Sequence, residues 1–288
     1  MITDCRITNI RSLIETALEE DIGPGDITTS LISDQKVEVK ARVLANEDLI
    51  LAGREIFFKV FECLDSGIVG KGFFEDGEKV KKGEVVAELR GDALSILKGE
   101  RVALNFLQHL SGIASLTREV TERVKNYKVK LLDTRKTTPG LRALEKYAVR
   151  VGGGTNHRFG LFDGILIKEN HIFIAGGIKA AIEKAKANAP HSVEIEVEVR
   201  DLDEVKIALK AGVDILLLDN MDLNTMRKAV EMVNRKALIE ASGNINKDNV
   251  EKVAKTGVDF ISMGALTHSA RAKDLSLEIV EIVKKRSR

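Results

Sequence analysis

Residues 193–219, "VEIEVEVRDLDEVKIALKAGVDILLLD", decide the fold because they join two short apolar runs through one amphipathic helix. The first run alternates as far as Val199, a helical pattern covers 202–211, and Gly212 ends it before the second run at 214–219. Strand, helix and strand in this order form a unit with parallel strands. The stretch therefore predicts a parallel sheet with helices outside it.

The same alternation extends on both sides of this unit. A long helical pattern runs from 94 to about 125, and short apolar runs then alternate with amphipathic helices. The runs are 129–133, 164–168, 193–199, 214–219, 237–242 and 258–263, and the helices between them include 178–188, 202–211, 223–233 and 247–256. Six strands at near-regular spacing predict an α/β barrel, with an open doubly wound sheet as the alternative.

The N-terminal part has a different pattern. Residues 9–22 predict an amphipathic helix, and 37–43 predict a strand that is apolar on one side. A helix is predicted around 54–64 and a hairpin over 76–89. This part is therefore expected to be an α+β domain with a half-exposed antiparallel sheet.

Three segments of the chain follow from these patterns. The N-terminal α+β domain is expected over 1–105 and the barrel over 106–272. A C-terminal helix is expected over 273–288, centred on 275–285, and it would close the barrel or return to the N-terminal domain.

Composition excludes several classes of function. Lys and Arg number 45 against 44 Asp and Glu, so net charge gives no reason to expect nucleic acid or a membrane surface as partner. No apolar run approaches the ~20 residues that span a bilayer. Cys5 and Cys63 form neither a disulfide framework nor a zinc-ligand spacing. With no signal-like N-terminus, we expect a cytoplasmic protein.

Polar residues collect at the C-terminal ends of the predicted barrel strands, which is the rim where α/β barrels build active sites. In strand order they are Asp133 with Arg135 and Lys136, Lys168, Glu198, Asp219, Ser242 with Gly243, and Met263 with Gly264. Because all six strand ends carry such residues, the sequence predicts one site at this rim.

The charges at the rim indicate an anionic ligand. The cations are Arg135, Lys136, Arg158 and Lys168, with His157 beside them. Arginine binds carboxylates or phosphates with a bidentate fork, and lysine adds a point charge. The carboxylates, Glu198 and Asp219, can hold Mg²⁺ or hydrogen-bond ribose hydroxyls, and the residues leave both open. Simple ion pairs in the barrel mouth are the alternative, which their desolvation cost disfavours.

Alternation in "VEIEVEV" places Glu194, Glu196 and Glu198 on one strand face. Unpaired glutamates buried in the barrel would be very costly. Glu198, nearest the rim, is the expected ligand residue, and Glu196 is expected to have a structural partner such as a lysine. The last two strand ends place glycine just before a helix, a pattern typical of a phosphate site.

Several segments resemble the quinolinate phosphoribosyltransferase family. They are "LLDTRKTTPGLRALEKYAVRVGGGTNHRFGLFDGILIKENHI" (131–172), "IEVEV" (195–199), "LLLDN" (216–220), "EASGNI" (240–245) and "SMGALTHSA" (262–270). Upstream, "GERVALNFLQHLSGIASLT" (99–117) and "EEDIGPGDITTS" (19–30) extend the resemblance over nearly the whole chain.

The resemblance implies an N-terminal α+β sandwich domain followed by an incomplete parallel α/β barrel. It implies a type II phosphoribosyltransferase that converts quinolinate and phosphoribosyl pyrophosphate to nicotinate mononucleotide, pyrophosphate and CO₂ with Mg²⁺. It also implies a homodimer with shared active sites, with a hexamer as the larger alternative.

The resemblance also implies roles for individual residues. Quinolinate would be bound by Arg135, His157, Arg158 and Lys168, with Arg101 reaching in from the partner subunit and Lys136 lying toward the phosphates. Glu198 and Asp219 would serve the ribose and the metal, so that Lys136, Lys168, Glu198 and Asp219 are the expected catalytic residues. The phosphates would be bound by Ser242, Gly243, Met263 and Gly264, with His268 on the pyrophosphate side.

Three alternatives are weighed against this function. A molybdenum-transport-associated pyrophosphorylase of the same fold shares "DTRKT" and the glycine–HR block but lacks the lysine of "LIKENH", so Lys168 favours quinolinate. A non-catalytic protein that captures an anionic metabolite would not need both Glu198 and Asp219. A barrel isomerase acting on a phosphorylated sugar would not need the second group of cations.

Overall fold

The computed structural model describes residues 10–32 and 37–285. Cys5 and the first residue of the predicted helix, Asn9, lie outside the described residues. The chain forms two compact units. The first consists of the chain up to Leu116, Thr138–Gly152 and the chain from Ala270, and the second consists of Thr117–Thr137 and Gly153–Ser269.

The helices and strands of both units are as follows. The helices are α1 (Ile10–Ile22), α2 (Ile27–Ile32), α3 (Arg54–Leu64), α4 (Ala93–Val124), α5 (Arg142–Val151), α6 (Glu169–Ala175), α7 (Ile178–Asn188), α8 (Leu202–Ala211), α9 (Leu223–Val233), α10 (Val250–Ala254) and α11 (Ala265–His268). The strands are β1 (Val37–Ala45), β2 (Leu49–Ile50), β3 (Val69–Gly72), β4 (Lys79–Val80), β5 (Val85–Asp92), β6 (Lys130–Leu132), β7 (Ile165–Ile167), β8 (Ile195–Val199), β9 (Ile215–Asp219), β10 (Leu238–Ser242), β11 (Phe260–Ser262) and β12 (Leu275–Lys285).

The first unit contains an antiparallel sheet of four strands in the order β12-β1-β5-β3. Along β1, Val39, Ala41 and Val43 are buried while the residues between them are more exposed, as the alternating sequence predicts. The core of this unit includes Phe57 and Phe61 of α3, whose rings meet edge to face with centroids 5.1 Å apart. The helix predicted over 9–22 is confirmed for its described residues, Ile10–Ile22, and the helix predicted around 54–64 and the strand predicted over 37–43 are confirmed.

The predicted C-terminal helix is wrong, because 275–285 form strand β12. This strand pairs antiparallel with β1, placing Ala41 opposite Ile279 and Ala45 opposite Leu275. The segment "LSLEIVEIV" carries apolar residues at spacings that suit a helix as well as a strand. Its β-branched residues and the hydrogen-bonding edge offered by β1 decide for the strand.

The predicted hairpin over 76–89 is also wrong. β4 pairs with β2, whereas β5 pairs with β1 and β3. A glycine turn at Gly83 does lie between β4 and β5, but the two strands belong to different sheets. The turn sequence therefore identified a reversal of the chain without identifying the partners of its strands.

The second unit is the predicted incomplete parallel barrel. Its six strands follow the order β6-β11-β10-β9-β8-β7, so that the first strand in the sequence pairs with the last. All the pairs are parallel. Among the described residues β6 and β7 are not paired with each other, and Leu132 of β6 instead forms an isolated parallel bridge with Thr155, in the segment before β7. The barrel is incomplete at this junction.

Capping residues keep the turns after two of the barrel strands short. Asp201 begins α8 by accepting hydrogen bonds from the backbone of Asp203 and Glu204. Asp222 caps α9 in the same way. Gly212 ends α8 in the left-handed conformation, with φ 72°, as predicted for a residue without a side chain. These caps hold the strand ends of β8 and β9 close to the helices that follow.

The two units do not follow the order of the chain strictly. Residue 105, the predicted end of the N-terminal domain, lies inside α4, which contributes to both units. Helix α5 belongs to the first unit although it lies between β6 and β7 in the chain.

Within 10–32 and 37–285, none of the helices combines the length and the apolar character that crossing a membrane requires.

Candidate active site

A cavity of about 860 Å³ opens at the carboxyl ends of the barrel strands, entirely within the second unit. The predicted site residues that line it are Arg135, Lys136, His157, Arg158, Lys168, Glu198, Asp219, Ser242, Gly243, Met263, Gly264 and His268. Arg101 is not among the lining residues and lies exposed on α4 in the first unit. The barrel thus brings together residues from six strand ends, as the sequence predicts.

The loop after β6 presents Arg135 and Lys136. The hydroxyl oxygen of Thr134 accepts a hydrogen bond from the backbone N–H of Lys136 at 3.0 Å. The hydroxyl of Thr267 donates to the carbonyl oxygen of Lys136 at 2.7 Å. Because both backbone groups of Lys136 are held, its exposed side chain starts from a fixed position at the rim.

Asp133 holds the segment that carries His157 and Arg158 beside the end of β6. It is fully buried and accepts hydrogen bonds from the backbone N–H of His157 at 2.8 Å and from the side-chain amide of Asn156 at 2.6 Å. These hydrogen bonds tie the segment that precedes β7 to the end of β6. Asp133 therefore positions the site and need not contact a ligand itself.

Below the rim, His157 meets two buried glutamates. Its Nε2 lies 3.0 Å from Glu196 Oε2 and 3.6 Å from Glu240 Oε2. Its Nδ1 accepts a hydrogen bond from the backbone N–H of Arg158 at 2.7 Å. Glu196 thus has the structural partner that the sequence predicts, but this partner is the histidine at 157 and not a lysine.

Burial changes the charge behaviour of this layer. Burial, followed by the neighbouring Glu196 carboxylate, raises the pKa of Glu240 to about 7. Burial also lowers the pKa of Arg158, and the nearby positive charge of Arg135 adds to that effect. Arg158 nevertheless stays protonated, because a guanidinium begins from a very high pKa. Its Nη1 donates to the carbonyl oxygen of Gly164 at 3.0 Å, which fixes the plane of the fork.

Lys168 and Glu198 form an ion pair across the ends of β7 and β8. Lys168 Nζ lies 2.8 Å from Glu198 Oε2. The backbone N–H of Lys168 donates to His171 Nδ1 at 2.9 Å, in a capping arrangement at the start of α6. His171 therefore acts on the site through the backbone of Lys168, a role that the sequence analysis did not assign.

Gly243, after β10, allows the residue that follows β9, Asn220, to approach its backbone closely. Gly243 has φ +95°, and a Cβ there would lie 2.2 Å from Asn220 Oδ1. Asn220 donates from its amide to Asp219 Oδ1 at 3.0 Å and accepts from Asn244 Nδ2 at 2.9 Å. Only glycine allows this close approach. The network orients the Asp219 carboxylate at the cavity.

Gly264 leaves room for two site residues. A Cβ at this position would come to 3.0 Å from both Lys136 Cδ and His268 Nε2. Lys136 and His268 therefore converge over this glycine, where the phosphates were expected. The helix that follows, α11, has four residues, so the backbone and these side chains offer more to an anion than a helix dipole does.

Sequence reasoning missed several lining residues. They include Thr134, Leu166, Leu217, Asn220, Glu240, Asn244 and Ser262. Glu240 had a signal in the sequence, since it is an acidic residue inside the apolar run of β10, the same feature that singled out Glu196. The leucines had none, because an apolar residue of a barrel strand looks the same whether it faces a cavity or a core.

Family models match both parts of the chain. The model described as "Quinolinate phosphoribosyl transferase, N-terminal domain" matches residues 26–111, and the model described as the C-terminal domain of the same family matches 113–278.

Individual proteins are similar over almost the whole chain. A protein of Bacillus subtilis named probable nicotinate-nucleotide pyrophosphorylase [carboxylating] is 44% identical over 271 residues, covering 94% of this chain and 93% of its own. A Nicotiana tabacum protein named quinolinate phosphoribosyltransferase [decarboxylating] 2b, mitochondrial, is 39% identical, covering 94% of this chain and 82% of its own. The solved structure of the nicotinate-nucleotide pyrophosphorylase from Francisella tularensis has 45% identity and a TM-score of 0.90, with coverage of 94% and 96%.

Proposed function

Because the chain belongs to the quinolinate phosphoribosyltransferase family, we propose that its cavity transfers a phosphoribosyl group from phosphoribosyl pyrophosphate to quinolinate. The reaction releases pyrophosphate and CO₂ and gives nicotinate mononucleotide, a step of NAD biosynthesis. The observation that carries this function is the lining of one cavity by Arg135, Lys136, Arg158 and Lys168 together with Glu198 and Asp219. Such a set suits two anionic substrates that react at a centre which becomes positive.

Quinolinate carries two adjacent carboxylates, and the cavity offers more cations than one carboxylate requires. Arg158 has a fixed guanidinium plane, and Arg135 lies close enough to influence its pKa. Two arginine forks and the Lys168 ammonium give charge-assisted hydrogen bonds to both carboxylates. We assign the quinolinate subsite to these three residues.

The ribose and phosphate subsite is assigned to the ends of the four central strands of the sheet, β8 to β11. Glu198 and Asp219 end neighbouring strands, and Ser242, Gly243 and Gly264 follow the next two. Displacement at the ribose C1 develops oxocarbenium character, which nearby carboxylates stabilise. Lys136 and His268, which converge over Gly264, are placed to interact with phosphate oxygens.

The donor set fits Mg²⁺, which prefers one or two carboxylates and completes its shell with water and substrate oxygens. Glu198 and Asp219 are the residues that would hold it, and both line the cavity. When bound, Mg²⁺ would neutralise the charge of the departing pyrophosphate. The chain itself contributes the orientation of Asp219, through Asn220, and the pairing of Glu198 with Lys168.

Decarboxylation needs little from the protein once the ring nitrogen is ribosylated. The positive pyridinium nitrogen stabilises the carbanion that remains when the adjacent carboxylate leaves as CO₂. The carbanion then takes up a proton from solvent at the same ring carbon, which gives nicotinate mononucleotide. The protein's part is to position the ring. Leu166 and Leu217 supply apolar lining to the same cavity.

We also propose that the active form is a homodimer in which Arg101 completes the partner's quinolinate subsite. Arg101 is exposed on α4, and it is the predicted substrate-binding residue that does not line the cavity of its own chain. In a two-fold dimer, each chain can supply the same residue to the other.

The test is incubation with quinolinate, phosphoribosyl pyrophosphate and Mg²⁺, following nicotinate mononucleotide and release of labelled CO₂ from the 2-carboxylate. Product and CO₂ are expected in equal amounts. Nicotinate, which has one carboxylate, should be a far poorer substrate. Turnover of nicotinate as fast as quinolinate would overturn the assignment of the cations to two carboxylates.

A further inference from the structure

The group of His157, Glu196 and Glu240 lies just below the rim of the cavity and has no role in the chemistry described above. The two glutamates are almost completely buried, on β8 and β10. One oxygen of each, Oε1, has no hydrogen-bond partner among the described residues. Two buried carboxylates this close to one histidine nitrogen require an account of where the protons are.

Hydrogen-bond directions fix the state of the histidine. The backbone N–H of Arg158 can only donate, so His157 Nδ1, at 2.7 Å, must accept and carries no proton. The ring proton is then on Nε2, which donates to Glu196 Oε2 at 3.0 Å. His157 is therefore a neutral imidazole with the Nε2–H tautomer.

With a neutral histidine, the two glutamates have no positive partner in direct contact within 10–32 and 37–285. Two adjacent buried carboxylates repel each other strongly. One proton shared between them removes the repulsion. Glu240 is the better holder, since it is the more deeply buried of the two and its pKa is raised. Glu196 then keeps its charge, which favours the guanidinium of Arg158.

We propose that Glu240 is a neutral carboxylic acid hydrogen-bonded to the Glu196 carboxylate, and that this pair holds His157 as a neutral positioning residue for Arg158. His157 thus supports the anion site through the backbone of Arg158 and contributes no positive charge of its own. This inference rests on the proposed function, because it specifies which residues supply the charge that binds quinolinate.

The charged groups around the cluster are consistent with this arrangement. Glu196 faces it from β8, Arg158 from the segment after the glycines, and Asp133 and Arg135 from the end of β6. Asp133 accepts from the backbone of His157, so it adds a negative charge on the main-chain side without contacting the ring. A positive charge on His157 would lower the pKa of Glu240, and a hydrogen bond from Ser262 of β11 lowers it by less, so a neutral His157 leaves the carboxyl proton more firmly on Glu240.

A divalent metal bound by the same three side chains is the competing account, since their ligand atoms lie within 4.8 Å of one another. A metal at Nε2 would require the ring proton on Nδ1. That proton would point at the N–H of Arg158, which is also a donor. The hydrogen bond at Nδ1 therefore favours the proton over the metal.

The direct test is nitrogen NMR of the full-length, substrate-free protein labelled with ¹⁵N-histidine. His157→Gln identifies the signals of residue 157. Near neutral pH we expect the pattern of a neutral Nε2–H imidazole, and Glu240→Gln should keep that pattern, because an amide also carries a donor in place of the acid. An imidazolium pattern, or loss of the neutral pattern in Glu240→Gln, would overturn the proposal. So would a stoichiometric divalent metal that Asp219→Asn retains and His157→Gln loses, because that metal would be bound by the three side chains of this cluster.

A kinetic test separates positioning from charge. Asparagine at 157 can still accept from the Arg158 N–H, whereas alanine cannot. We expect His157→Ala to raise the KM for quinolinate about tenfold more than His157→Asn does, with the KM for phosphoribosyl pyrophosphate little affected. Equal losses in both variants would assign His157 a cationic role. The NMR result does not depend on catalysis, so an inactive wild-type protein would overturn the proposed function and leave the tautomer measurable.

Discussion

Lys168 Nζ lies 2.8 Å from Glu198 Oε2, so the quinolinate subsite and the ribose subsite share an ion pair. The Lys168 side chain is 48% exposed and that of Glu198 is 16% exposed, which places the carboxylate deeper in the cavity. An ion pair at a partly exposed rim contributes little to stability. Its value is positional, because each residue holds the other toward the ligand it is assigned to bind.

Lys168→Ala should weaken binding of quinolinate much more than binding of phosphoribosyl pyrophosphate. One lost charge-assisted contact is expected to cost roughly 1.5–3 kcal/mol. Calorimetric titration with each ligand measures the difference. Lys179→Ala is the matched control, since Lys179 is an exposed lysine of α7 outside the cavity. An equal loss for both ligands would place Lys168 in a different subsite.

Asp219→Asn should reduce the rate and alter its dependence on Mg²⁺. The amide keeps the size of the side chain but removes the negative charge that suits the metal and the oxocarbenium-like transition state. The initial rate is measured against Mg²⁺ concentration. Asp203→Asn changes an exposed carboxylate of α8 and should behave like the wild type. If Asp219→Asn keeps both the rate and the metal dependence, Asp219 is not part of the site.

Gly243→Ala should impair the phosphate side and lower stability. The added Cβ meets Asn220 Oδ1 at 2.2 Å, in addition to the strain of a positive φ, and we expect a loss of about 1–3 kcal/mol. Gly83→Ala is the control for backbone strain alone, because Gly83 has φ +87° with nothing within 4 Å. Thermal unfolding and the KM for phosphoribosyl pyrophosphate are compared. If the two substitutions have similar effects, backbone strain and not the collision with Asn220 causes the loss.

Glu240 should make stability fall as pH rises toward neutrality. Its pKa is raised from 4.5 to about 7 in the folded protein, so the folded state binds this proton more tightly than the unfolded state does. The resulting stabilisation is complete below about pH 4.5 and is lost as the pH rises through about 7. Glu240→Gln removes the titration. The melting temperature of the wild type should therefore fall relative to this variant between about pH 5 and pH 8.

The control for this measurement is Glu183→Gln, which changes a largely exposed carboxylate of α7. Its melting curve should follow that of the wild type at every pH, measured at one protein concentration. A wild type and a Glu240→Gln variant with parallel pH curves would show that Glu240 is ionised in the folded state at all these pH values.

Arg101 and Lys168 should complement each other across a dimer. Arg101→Ala and Lys168→Ala homodimers are each expected to be nearly inactive. After random exchange of subunits, half of the dimers are mixed, and in each of these one site carries both defects and the other carries neither. Roughly a quarter of wild-type activity should return. If mass spectrometry confirms subunit exchange and no activity returns, Arg101 serves the active site of its own chain and not that of the partner.

The barrel and its rim could be predicted because both depend on local spacing. Alternating residues in 193–199 and the helical period in 202–211 define elements before any partner is known. Parallel strands then bring their carboxyl ends to one edge, so Lys168, Glu198 and Asp219 had to lie near one another. The family resemblance of 131–172 added the reaction, and the similar proteins support it.

The sequence alone thus determined the strand and helix pattern of the barrel, the location of the site and the family. Tertiary structure decided the rest, because strand pairing and ion pairing depend on which strand edges and which charged side chains lie close together in space. Residues 275–285 suit a helix or a strand, and the open edge of β1 makes them a strand. The sequence predicts that Glu196 faces the inside of the barrel, but it does not predict His157 and Glu240 as its neighbours. These two residues lie about 40 residues away in the chain, one on either side.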